Sequence, residues 1–228
     1  GYDSFKFFFS GGEPVYWKPL LEVAKFIHEK CDKPLLAINT NLSNSINWWK
    51  KNYYLFNDVV ASYHIEHVNH DRYLENAKFL QDKMNYLALR MMMHDYYFQD
   101  VIDAGNKIWE EMDNCVLEWV PLLEELSTGA QPWYYEEEWK KEFFKKTDGY
   151  QRKWGTINEH REFRPAYSLE EWNDGKIQPI NSNRLAAERL NNFEGWHCWI
   201  NDAIFINPYG DISAASCGVS GKIGNINE

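Results

Sequence analysis

Long apolar runs are missing from this chain. None approaches the roughly 20 residues that a helix needs to cross a bilayer, so a membrane partner is not expected. Cysteine is scarce: Cys31, Cys115, Cys198 and Cys217 are the only four in 228 residues. They are too few and too scattered for a disulfide framework, which points to a reducing compartment, the cytoplasm. Basic stripes are also lacking. Lys and Arg number 24 against 34 Asp and Glu, a net charge of −10, and such a field repels a nucleic-acid backbone or an anionic membrane. With 44% hydrophobic and 25% charged residues, the chain has the balance of a folded protein, and wholesale disorder or a collagen-like repeat is excluded.

What is abundant is aromatic. Phe, Trp and Tyr make up 17% of the chain, with 11 Trp, which suits either large packing residues in layers or stacking surfaces for a ligand. Composition does not choose between them. The chain starts at Gly1 and is at once in the apolar ladder Phe5 to Phe9, and it stops in mid-pattern at Gly224-Asn225-Ile226. The expectation from this is a fragment cut at both ends, in which a missing leader peptide carries no weight.

A regular beat organises the first half. Short β-rich runs start at Phe5, Leu35, Val59, Tyr86 and Val116, at spacings of 24 to 30 residues, the length of a βα unit. Between them the apolar period becomes helical. Leu20, Val23, Ala24, Ile27 and Cys31 share a face after Pro19; Leu74, Ala77 and Leu80 follow Asp71; Phe98, Val101, Ile102, Gly105, Ile108, Trp109 and Met112 form a longer stripe. The Trp- and Tyr-rich stretch from Ser45 to Phe56 is less regular. The fold class is therefore α/β with a parallel sheet, open or curled into a barrel, and function is expected at the carboxyl ends of the strands.

Three divisions follow: residues 1–123 as the βα unit, 124–194 as a helical and irregular connector, and 195–228 as a small β module. In the connector, Trp133 to Lys146 reads as an exposed amphipathic helix, Asn173-Asp174-Gly175 as a turn, and Asn183 to Leu190 as a short helix. In the last module, Ala203 to Ile206 and Ile212 to Ala214 flank Asn207-Pro208-Tyr209-Gly210, a hairpin signal.

The first motif with chemistry is Ser10-Gly11-Gly12-Glu13-Pro14, directly after the Phe-rich strand. Paired glycines permit positive φ and close approach of a ligand to the backbone, and carbonyls at a strand end can accept from an ammonium group. A plain strand-to-helix turn closed by Pro14 has the same residues. The second strand ends in Asn39-Thr40-Asn41 and the third in Ser62-Tyr63-His64-Ile65-Glu66. Short polar side chains there can hold hydroxyls and a carboxylate of one small molecule, or simply cap helices and fill turns.

An apolar strand running into Gly11-Gly12-Glu13-Pro14, then Thr40-Asn41 one unit later, then Ser62 with His64 and Glu66 beyond it, resembles the radical S-adenosylmethionine superfamily from its second strand onward. The resemblance implies a partial (β/α)6 barrel, TIM-like and truncated at its first strand, over about residues 5 to 123. It implies reductive cleavage of S-adenosylmethionine to a 5′-deoxyadenosyl radical for modification of a peptide or small-molecule substrate, with an electron donor as partner. It implies Gly11, Gly12 and Glu13 at the methionine amino group, Thr40, Asn41 and Ser62 at its carboxylate or ribose, and His64 and Glu66 at ribose or substrate. Arg90 is read either as a partner of the carboxylate or as a snorkelling surface residue. The family's C-x3-C-x2-C loop, which ligates the 4Fe–4S cluster, does not occur among the four cysteines and is expected upstream.

The tail resembles the opening of the SPASM or twitch extension, from Phe193-Glu194-Gly195-Trp196-His197-Cys198 to Cys217. That likeness implies Cys198 and Cys217 as ligands of an auxiliary iron–sulfur cluster, which needs further thiolates to complete it. Two readings from other classes stand beside this one. His64, His67 and His70 with Glu66 and Asp71 are suited to a metal-dependent barrel hydrolase or isomerase. Trp48, Trp49, Tyr53, Tyr54, Trp133, Tyr134 and Tyr135 are suited to a non-catalytic aromatic binding module.

Overall fold

The computed structural model describes residues 5–122, 135–146, 150–153, 168–180, 204–214 and 221–228. The expected beat is present. Strands β1 (Lys6–Phe9), β2 (Leu35–Thr40), β3 (Asp58–Tyr63), β4 (Tyr86–Met93) and β5 (Cys115–Pro121) alternate with helices α1 (Leu20–Lys30), α2 (Ile46–Asn52), α3 (His70–Leu80) and α4 (Phe98–Glu111). The five strands pair in parallel and in chain order. Three of the four helices have a local reason to begin. Pro19 precedes α1, Ser45 accepts the Trp48 N–H at the start of α2, and Asn69, rather than Asp71, accepts the Arg72 N–H at the start of α3.

Strands added in one direction with one hand of crossover put every helix on the same face of the sheet. The core reflects this. Leu36, Ile38, Val59, Ala61, Leu87, Leu89, Met91, Leu117 and Trp119 point toward the helices and pack with Leu20, Trp49, Tyr73, Ala77, Phe98 and Ile108. Alternate strand residues face the other way, where Val60, Ala88 and Val116 form a separate small cluster. Helix α4 approaches the sheet closely at Gly105, where a Cβ would lie 2.4 Å from the buried Trp119 ring. No larger residue fits there without moving one of the two.

β1 is an edge strand among the described residues. Phe5 is 56% and Phe8 52% exposed. At the opposite edge the sheet is longer than expected, because β6 (Tyr150–Lys153), within the presumed connector, pairs antiparallel with β5. The helix read as exposed is also corrected. Helix α5 (Glu138–Lys146) buries Phe144 fully, and Tyr135 just ahead of it is 2% exposed, both within the main core. Four aromatic contacts at Phe98, to Tyr135, Trp139, Phe143 and Phe144 with centroids 5.2–5.6 Å apart, explain the attachment. Tyr135 also donates its hydroxyl to the Met93 carbonyl and accepts the Leu122 N–H, tying the ends of β4 and β5.

Packing likewise accounts for most of the aromatic pairs. Trp49 is wholly buried and meets Trp48 edge-on at 4.9 Å, and Tyr53 meets Phe79 at 5.6 Å. Tyr54 is exposed, and Trp133 and Tyr134 lie outside the described residues. The Asn173-Asp174-Gly175 turn closes a hairpin of β7 (Ser168–Glu171) and β8 (Ile177–Ile180). The Asn207 to Gly210 turn joins β9 (Phe205–Ile206) to β10 (Asp211–Ser213), with Gly210 at φ +85°, and β11 (Gly224–Asn225) completes a three-stranded sheet. The short helix expected at Asn183 to Leu190 lies outside the described residues. Among the described residues no helix is long and apolar enough to cross a membrane.

Candidate functional site

The expected site residues after β1, β2 and β3 converge at the carboxyl edge of the sheet. Gly11 and Gly12 take φ of +94° and +55°, and a Cβ on either would meet nothing within 4 Å. Backbone conformation, not crowding, is what demands glycine there, and the turn is open to an incoming group. Glu13 then reaches across to the next unit. Its Oε1 accepts the Thr40 hydroxyl at 2.7 Å, its Oε2 accepts the Asn41 N–H at 2.5 Å, and Oε1 also takes the Val15 N–H at 3.4 Å. The glutamate is thus first a staple between the turns after β1 and β2. A carboxylate has about four lone-pair sites, so it retains capacity for a further donor.

Thr40 is buried and passes the tie onward, its Oγ1 accepting the Leu42 N–H at 3.2 Å. Leu42 is 1% exposed and sits at φ +53°, a strained conformation for a branched residue. Helix α3 holds it there. Asn76, wholly buried, donates its amide to the carbonyls of both Leu42 and Asn44 at 2.9 and 2.7 Å, and Arg72 donates to the Ser43 carbonyl at 3.2 Å. Three successive carbonyls are therefore turned toward one helix. Neither Asn76 nor Arg72 was expected from the sequence. The available signal was Asn76 itself, a polar residue on the apolar face shared by Tyr73, Ala77 and Leu80.

An open cleft of about 170 Å³ lies between this loop and α3. Asn41 and Ser43 line it from the loop, Ser62 and His64 from the end of β3, and His67 and Arg72 from the approach to α3 and its first turn. Ser62 donates to Asn39 at 3.4 Å, and Tyr16, 65% exposed, shares a hydrogen bond with Ser43 at 2.9 Å. Burial holds the His64 imidazole below its ordinary pKa, with Glu66 opposing and His67 adding to the shift, so the ring is neutral at pH 7. Of the expected residues, the structure brings Asn41, Ser62 and His64 into the lining of the cleft, and Gly11, Gly12, Glu13 and Thr40 are not part of that lining. Glu66 turns elsewhere, 3.5 Å from Nε2 of His94.

The histidine cluster does not assemble. His70 enters α3 and its Nδ1 meets the Tyr63 hydroxyl at 3.1 Å. Among the described residues no three His, Cys, Asp or Glu side chains are placed to hold a metal ion. Cys198 and Cys217 lie outside the described residues. Cys115 is buried at the head of β5 and Cys31 is half-buried at the end of α1.

The sheet face away from the helices carries a second polar set. Arg90 Nε donates to Glu118 Oε2 at 2.5 Å, and the Tyr86 hydroxyl donates to Glu118 Oε1 at 3.1 Å. Burial first, then the Glu118 carboxylate, holds the Tyr86 phenol far above its usual range, so it remains a donor. Ser62, Arg90 and Glu118 are in register across β3, β4 and β5. Arg90 is therefore neither a free surface residue nor unpaired. Compared with protein-family models, with curated proteins and with solved structures, the chain matches none.

Proposed function

We propose that this chain belongs to a radical S-adenosylmethionine enzyme that modifies a peptide or a small molecule, built on a partial (β/α)6 barrel. The observation that carries the proposal is the Glu13 bridge to Thr40 and Asn41. It makes one continuous polar edge of the two turns that the resemblance pairs, with Ser62 on the next strand. Constant strand order with all helices on one face is what a curled sheet requires.

The residues present suit the nucleotide's polar groups. Gly11 and Gly12 leave open backbone for an ammonium group beside the remaining acceptor capacity of Glu13, and Asn41, Ser62 and His64 offer amide, hydroxyl and imidazole partners for ribose or carboxylate. When bound, S-adenosylmethionine supplies a carbon radical upon one-electron reduction; the protein's share is to orient cofactor and substrate and to exclude stray donors. Neutral His64 can accept or donate a hydrogen bond at that edge without adding charge. The 4Fe–4S cluster is a different matter: this sequence has no C-x3-C-x2-C set to hold it. An electron donor is part of the proposal, and an auxiliary cluster at Cys198 and Cys217 belongs to it as well.

Replacing Gly11 and Gly12 by Val in the full-length protein tests the reading. Both positions hold φ values that a β-branched residue cannot adopt without strain. S-adenosylmethionine cleavage should be lost while the fold is kept. Undiminished cleavage contradicts the role given to the turn.

A further inference from the structure

The polar groups lining the cleft beside α3 are unevenly spent. Asn41 uses its carbonyl oxygen on the Ser43 N–H at 2.9 Å, and Asn69 uses its own on the Arg72 N–H at 3.0 Å. Each amide therefore keeps its NH2, two donors, for the cleft. Arg72 commits one Nη1 hydrogen bond to the Ser43 carbonyl and, among the described residues, has no carboxylate partner. No Asp or Glu is in the lining. In a chain of net charge −10, a concavity lined by an arginine and two amide NH2 groups, with hydroxyls and imidazoles but no carboxylate beside them, is a local reversal of sign.

We propose that this cleft is a carboxylate-binding site, with Arg72 as the ion-pairing residue and Asn41 and Asn69 as flanking donors. Arginine's planar fork suits a carboxylate held by two parallel hydrogen bonds, and neighbouring amide donors satisfy the remaining lone pairs. At about 170 Å³ the cleft falls below the roughly 300–1,000 Å³ of sites that enclose a drug-sized ligand. It accepts the charged end of a molecule whose body lies outside. The Asn76 clamp on Leu42 and Asn44 keeps Asn41 and Ser43 on the cleft wall. The carboxylate belongs either to the amino-acid end of the sulfonium nucleotide, which rests on the function proposed above, or to the substrate. The site itself rests on the cleft alone.

Titration of the isotopically labelled full chain with acetate, followed by NMR, tests it. Saturable shifts are expected at the side-chain amides of Asn41 and Asn69 and at Nε–H of Arg72. Arg72→Met should weaken acetate about tenfold, the loss of a charge-assisted hydrogen bond, and Arg72→Lys should recover part of it. No saturable shift in the wild type, or equal affinity in Arg72→Met, overturns the site. Repeating the titration with S-adenosylmethionine and with its decarboxylated analogue separates the two sources. Displacement of acetate by the first compound alone assigns the carboxylate to the cofactor. Persistence of acetate beside bound S-adenosylmethionine assigns it to the substrate. If the nucleotide binds nowhere, the proposed function fails while the acetate result still decides the site.

Discussion

The two faces of the parallel sheet divide the labour of the molecule. The helix side is closed and mainly apolar, from Leu36 and Ile38 on β2 to Leu117 and Trp119 on β5, with Thr40 and Asn76 as buried, hydrogen-bonded exceptions. The opposite side sets small residues such as Ala88 and Val116 between charged and hydroxyl groups, among them Arg90, Glu118, Tyr86 and Ser62. Burial of apolar area fixes the first face and specifies the fold. The second face retains polar groups that stability alone does not require, because satisfied buried ion pairs rarely outperform apolar replacements. Chemistry is therefore sought on the second face and at the strand ends, and adjacent residues of one strand can be used to set the faces against each other.

Trp119 and Glu118 are neighbours on β5 and point to opposite sides. Trp119→Ala should be the most damaging change, about 3–5 kcal/mol by denaturant unfolding, since it opens a large cavity beneath α4. Glu118→Ala should cost less, about 1.5–3 kcal/mol, as it leaves the half-exposed Arg90 and the Tyr86 hydroxyl without their shared acceptor. Equal losses from the two would erase the distinction between faces.

A smaller, pH-dependent effect is expected at His64. Its folded pKa lies below the unfolded value near 6.5 because burial opposes the charge. Below that pH the unfolded chain binds more protons than the folded one, so stability falls as pH drops from about 6.5 toward the folded pKa. His64→Asn should flatten that part of the stability–pH curve, and an unchanged curve contradicts the neutral, half-buried imidazole. The least effect is expected at Lys6, whose pairing with Asp58 at 2.7 Å leaves it 48% exposed. Lys6→Met should change unfolding free energy by no more than about 1 kcal/mol, less still at high salt.

How much of this was legible in the sequence follows from the range of the interactions. The five strands and the main helices were, because each is announced within its own ten residues by period and flanking turn signals. So was the convergence of Asn41, Ser62 and His64, since parallel βα units bring successive strand ends together whatever their side chains. The attachment of α5 and β6 was not. Phe98 gathers Tyr135 and Phe144 from some 40 residues away, and nothing local tells a buried aromatic from an exposed one. The staple formed by Glu13 and the clamp formed by Asn76 were hidden for the same reason: each joins segments about 30 residues apart through a single side chain.

The central claim meets its most direct test in the full-length protein, reconstituted anaerobically with iron and sulfide, reduced, and supplied with S-adenosylmethionine. Release of 5′-deoxyadenosine and methionine, abolished by Gly12→Val, is the result expected. An iron-free, colourless protein that leaves S-adenosylmethionine intact contradicts the account.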